Sequence, residues 1–65
     1  MNVFVNGTQE SIEPCTLAQF IALKKLDAGA LVVELNRQII KQEFWSTTEL
    51  QDDDRLEMLS FVGGG

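Results

Sequence analysis

Val3 and Val5 stand two apart near the start of the chain, and a period of two is the signature of a strand with one face buried. Asn2 to Val5 reads as a first strand, in which Val3 and Val5 share one face and Phe4 takes the other. Asn6-Gly7 is a two-residue turn of the kind whose positive φ angles match a hairpin's twist, so Thr8 to Ile12 returns as a second strand. Pro14 stops that strand. The period then changes: Leu17, Phe20 and Ile21 fall at i, i+3 and i+4, the apolar stripe of a helix packed on a sheet. Thr16 and Gln19 occupy the two positions of a capping box that starts this helix, while Lys24 and Lys25 suit the negative end of its dipole.

Gly29 marks the end of the connection, and Leu31 to Leu35 is a third strand with Leu31, Val33 and Leu35 inward and Val32 and Glu34 outward. Asn36-Arg37 reads as another tight turn, leading to a short fourth strand over Gln38 to Lys41. Gln42-Glu43-Phe44-Trp45 looks like a helical turn whose aromatics cover one end of the core. Asp52-Asp53-Asp54 reads as a solvated turn, since no second carboxylate cluster or histidine makes it a metal or acid/base site. Arg55 to Val62 is the last strand, with Leu56 and Met58 on the core face and Leu59 and Phe61 opposite. The pattern predicts an α+β fold with one helix on one face of a sheet, and leaves the strand order open.

Composition narrows the function. A chain of 65 residues is one domain, and at this size it buries only about 60% of the surface its unfolded form exposes, which leaves no room for an enclosed active site. The single cysteine, Cys15, excludes an internal disulfide, and the absence of histidine removes the usual zinc-ligand spacings. A thiol at a helix entrance can have a depressed pKa, yet a lone cysteine is more often a small packing residue, and Cys15 receives no catalytic role. The net charge of −5 repels phosphate backbones and acidic membranes and suits basic partner surfaces. No apolar run reaches the roughly 20 residues of a membrane span, and the amino terminus lacks a secretory pattern, so the expectation is a cytoplasmic protein.

The end of the chain carries the functional clue. Gly63, Gly64 and Gly65 follow the last apolar residue, Val62, directly. Glycine loses more backbone freedom on ordering than any other residue and adds no side chain to a core, so three together do not stabilise a fold. They provide reach: residues 1–62 form the domain, and 63–65 a flexible tail that can thread a narrow channel with its carboxylate leading.

Asn6-Gly7, the strand and turn Leu31-Val32-Val33-Glu34-Leu35-Asn36, Phe44-Trp45, and Asp54-Arg55-Leu56 leading to Phe61-Val62-Gly63-Gly64-Gly65 together resemble the ThiS family of sulfur carriers in thiamine biosynthesis. The similarity covers nearly the whole chain. The glycine terminus is its specific element; the rest is shared with other small ubiquitin-like carriers, including the MoaD subunit of molybdopterin synthase. Asp53 departs from the family, whose turn there is commonly Asp-Gly-Asp, and Lys41 stands where the family often has Pro. The resemblance implies a β-grasp, ubiquitin-like fold, a mixed sheet with the first and last strands adjacent.

It also implies a carrier cycle. A ThiF-like adenylyltransferase would use ATP and magnesium to adenylate the Gly65 carboxylate; sulfur from a cysteine desulfurase or other donor would replace AMP. The resulting thiocarboxylate would pass its sulfur to thiazole synthase, ThiG. The protein is then a co-substrate and not an enzyme, in keeping with an inventory from which no nucleophile-base pair can be assembled. Two other readings stay open: a carrier for molybdenum cofactor or another sulfur pathway, and a noncovalent interaction module of the same fold. With the first and last strands adjacent, Phe4, Val32, Leu59 and Phe61 would all point away from the helix and form an apolar docking patch near the root of the tail.

Overall fold

The computed structural model describes residues 1–61. Val62 and the glycines at 63–65 lie outside the described residues, and with them the expected end of the last strand and the tail. Six elements of regular structure follow one another: β1 (Asn2–Val5), β2 (Thr8–Ser11), α1 (Leu17–Leu23), β3 (Leu31–Leu35), β4 (Gln38–Ile39) and β5 (Arg55–Ser60). Short 3-10 turns at Ala28–Ala30 and Gln42–Thr47 fill two of the connections.

The strands form one mixed sheet in the order β2-β1-β5-β3-β4. β1 and β5 are parallel, with Phe4 opposite Arg55 and Val5 opposite Leu56; every other pairing is antiparallel. The turns are where the sequence puts them: Asn6 and Gly7 have φ 49° and 85°, and Asn36 and Arg37 have φ 50° and 72°, the left-handed pairs that two-residue hairpins require. The capping box is present too, with Thr16 Oγ1 accepting from Gln19 N–H at 3.1 Å and Gln19 Oε1 accepting from Thr16 N–H at 2.8 Å.

One face of the sheet meets α1. Leu17, Phe20 and Ile21 from the helix pack with Val3, Leu31, Val33, Leu56 and Met58 from the strands, and Trp45 and Leu50 close the end of this core. Trp45 is buried with its indole N–H donating to the Ile40 carbonyl at 2.8 Å, so its one polar group is satisfied.

Several expectations need correcting. Phe44 is 53% exposed, because successive residues of a 3-10 turn point a third of a revolution apart and only Trp45 can face the core. β4 stops at Ile39, and Lys41 becomes the residue that opens the following turn. The helix ends at Leu23, so Lys24 caps it and Lys25, at φ 57°, lies beyond it. Instead of serving the dipole from the last turn, the Lys24 ammonium pairs with Glu10 of β2 and lies 5.4 Å from the centre of the Phe20 ring, joining helix to hairpin.

In the acidic turn Asp52 and Asp53 are exposed, and the correction concerns Asp54. Asp54 is buried, its Oδ1 accepting from Asn36 Nδ2 at 3.0 Å and its Oδ2 from Gln51 N–H at 2.7 Å. Asp52 Oδ1 accepts from Asn2 N–H at 2.7 Å, and Asp53 N–H donates to the Asn2 carbonyl at 2.7 Å. A run of charges reads as solvated only until its partners are known, and here they come from β1 and the β3–β4 turn. Asp53 has φ 68°, where a Cβ is strained and the family's glycine is not.

Two substitutions separate these roles in urea denaturation. Asp54→Ala should cost about 2 kcal/mol, because it leaves donors in a part-buried site unpaired. Asp53→Gly should raise stability by about 0.5 kcal/mol, the relief of left-handed strain less the added chain entropy.

Candidate functional site: the outer sheet face and the tail-bearing strand

The face of the sheet turned away from α1 is set by the alternation along β3 and β5. Leu56 and Met58 are buried, so Arg55, Glu57 and Leu59 stand outward. Val32 and Leu59 are direct register partners, exposed by 36% and 65%, and Phe61, held by its N–H to the Ala30 carbonyl at 2.9 Å, is 50% exposed. These three apolar side chains gather at the end of β5 from which the chain continues to its glycines.

Phe4 does not join them. It is half-buried opposite Arg55, whose guanidinium carbon lies 4.5 Å from the centre of its ring, a cation–π contact that covers it. Arg55 and Leu59 are separated along the strand by about 13 Å. Between them Glu34 and Glu57 face each other in register, an arrangement of like charges that costs up to about 1 kcal/mol in an isolated sheet. The outer face therefore has a cationic-aromatic end, an acidic middle and an apolar end.

Ile39 is a further exposed apolar side chain, 67% accessible and in register with Glu34. The sequence reading passed over it; its only signal was its place after the polar Gln38 on an edge strand. Gly63, Gly64 and Gly65, the expected tail, lie outside the described residues, so of the expected site the structure describes only the docking face.

Cys15 is half-buried against the core, and burial pushes its thiol pKa up, the opposite of the depression that a reactive cysteine needs. It lines a shallow apolar groove with Pro14, Ala22 and Leu23 on the helix side. Among the described residues no group of three or more His, Cys, Asp or Glu side chains could hold a metal ion, and no helix is long and apolar enough to cross a membrane.

The strand order, the single helix on one face and the central last strand followed by a glycine terminus define a β-grasp, ubiquitin-like protein. The ThiS family model matches residues 2–65. The sulfur carrier protein ThiS of Bacillus subtilis is 38% identical over 50 residues, 77% of this chain and 76% of that protein. A crystal structure of the thiamine biosynthesis protein ThiS from Geobacter metallireducens superposes with a TM-score of 0.84 at 35% identity over the whole of both chains. The solution structure of a thiamine biosynthesis protein from the same organism gives 0.82 at 32% identity, over all of this chain and 88% of that one. A thiazole synthase of Paramagnetospirillum magneticum is 26% identical along all of this chain, which spans 20% of that protein's length. The chain belongs to the ThiS family.

Because its pKa is raised, the Cys15 thiol carries less thiolate at neutral pH than an unperturbed cysteine, and thiolate is the reacting form. Iodoacetamide at pH 7 should therefore label folded protein several-fold more slowly than protein in urea, followed by mass.

Proposed function

We propose that this protein is the sulfur carrier of thiamine biosynthesis, with the Gly65 carboxylate as the group that is activated and sulfurated. A ThiF-like adenylyltransferase, with ATP and magnesium, joins the carboxylate oxygen to the α-phosphorus and releases pyrophosphate. A carboxylate is a poor electrophile, and the mixed anhydride supplies the leaving group it lacks. Sulfur at the level of sulfide attacks the acyl carbon and AMP departs, leaving the thiocarboxylate. A persulfide from a cysteine desulfurase serves as well, provided that a thiol then reduces its S–S bond. The sulfur passes on to thiazole synthase, ThiG. All of this takes place in the cytoplasm, and the carrier contributes no catalytic side chain.

One observation carries the reading: a ThiS-family sequence has Gly63-Gly64-Gly65 three residues past the end of a central strand, near which exposed apolar residues stand. The resemblance of the chain to a segment of a thiazole synthase supports ThiG as the recipient. On this reading Val32, Leu59 and Phe61 form the docking surface, while Phe4, covered by Arg55, contributes at most an edge. Ordering three glycines costs roughly 1 to 2 kcal/mol each, so contacts on the rigid body must offset that loss.

Incubation with a ThiF-like enzyme, ATP and a sulfur source should raise the intact mass by the difference between sulfur and oxygen. The shift should vanish in a variant lacking Gly64 and Gly65 and survive Cys15→Ser. A shift in the truncated variant would move the chemistry elsewhere on the chain. Leu59→Asp should weaken docking to the activating enzyme, measured by calorimetry, by more than about 1 kcal/mol with the fold kept, as for a partly exposed anchor. Unchanged affinity would remove the outer face from the interface.

A further inference from the structure

The first hairpin turn also grips the last strand. Asn6 Nδ2 donates to the Met58 carbonyl oxygen at 3.1 Å, and Met58 N–H donates to Asn6 Oδ1 at 2.7 Å. Register pairing between β1 and β5 ends at Val5 and Leu56, with the Asn6 N–H donating to the Leu56 carbonyl at 2.8 Å. After that point β1 has left the sheet. Residues two apart on a strand present their backbone groups to the same edge, so Met58 offers its N–H and C=O where the next residue of β1 would lie. The Asn6 amide supplies one donor and one acceptor there, as a peptide group would.

On its other edge β5 is held by β3, through the Leu31–Ser60 pair and the Phe61 N–H to Ala30. Among the described residues, Asn6 is thus the hydrogen-bonding contact on the β1 side of β5 nearest to the tail. Met58 is 7% exposed with the amide in place, and Asn6 itself is exposed, so the amide exchanges mobile water for a fixed pair of hydrogen bonds. The second hairpin grips the beginning of the same strand: Asn36 Oδ1 accepts from Arg55 N–H at 3.0 Å, and Asn36 N–H donates to the Arg55 carbonyl at 2.8 Å.

We infer that Asn6 is a positioning residue for delivery of the carboxylate, fixing the line along which β5 leaves the body. The inference rests on the sulfur-carrier reading. Gly65 is four residues past Phe61 in sequence, a span of at most about 14 Å. So short a reach cannot compensate for a strand that swings, and misplacing a reacting atom by about 1 Å can cost on the order of a hundredfold in rate.

Asn6→Gly tests this, because glycine accepts the positive φ of the turn and removes the amide. Wild type, Asn6→Gly and Asn36→Gly are compared with a ThiF-like enzyme and ATP, at a temperature where each is fully folded. Calorimetry gives the docking constant, and single turnovers at saturating enzyme give the rate of adenylate formation. Asn6→Gly should leave the docking constant within about twofold and slow adenylation by about tenfold, with faster amide exchange at Met58. Asn36→Gly, which frees the far end of β5, should lose stability and keep its rate. An unchanged rate in Asn6→Gly despite faster exchange at Met58 would overturn the inference, and so would equal losses in both variants. If Asn6→Gly does not fold, Asn6→Asp retains the acceptor for the Met58 N–H and loses the donor. A reduced rate then supports the positioning role, and the wild-type rate contradicts it. Failure of wild type itself to be adenylated would instead refute the carrier reading, and the inference would fall with it.

Discussion

The pairing of the first strand with the last is the constraint on which the rest of the molecule depends. Phe4 N–H reaches the Asp54 carbonyl at 2.9 Å and Asn6 N–H reaches Leu56, so the start of the chain closes against its end. Only with that closure do Val3, Leu56 and Met58 form the continuous floor on which Leu17, Phe20 and Ile21 rest. It also places the tail-bearing strand in the middle of the sheet, between β1 and β3, and not at an edge. The beginning of that strand is held from both sides by backbone hydrogen bonds, and its later part by β3 on one side and the Asn6 amide on the other, which restrains it more than an edge strand would be restrained.

This explains how so sparse an inventory of side chains can serve group-transfer chemistry. Burial pushes the half-buried thiol's pKa up, away from the reactive thiolate, and the Asp52 and Asp54 carboxylates accept hydrogen bonds within the fold. On the carrier reading, activation, sulfur supply and transfer all belong to partners, and the body is left with docking and aim. On the same reading Val32, Leu59 and Phe61 are assigned to the first purpose, and the grip on Met58 to the second.

Much of the fold was legible in the sequence because its signals are local. The Thr16–Gln19 capping box, the two hairpin turns and the alternation that buries Leu56 and Met58 each lie within a few residues of chain. What escaped depends on partners distant in sequence. Asp54 reads as solvent-facing until Asn36 is brought against it, and Asn6 reads as a turn residue until Met58 lies beside it. Phe4 shares a face with Leu59 by parity alone; the parallel register with Arg55 puts the two at opposite ends of that face. Strand order came from the family resemblance, since no periodicity encodes which strands are neighbours.

The central claim, that the body exists to dock by its outer face and so deliver the terminal carboxylate, is tested most directly by an amide footprint. Labelled protein is titrated with an unlabelled ThiF-like enzyme and followed by two-dimensional NMR. The account predicts that the amides of Val32, Leu59 and Phe61 shift or broaden first, and that those of Ala22 and Leu23 on the helix side stay in place. Perturbation confined to the groove beside Cys15, with the outer face unchanged, would contradict it.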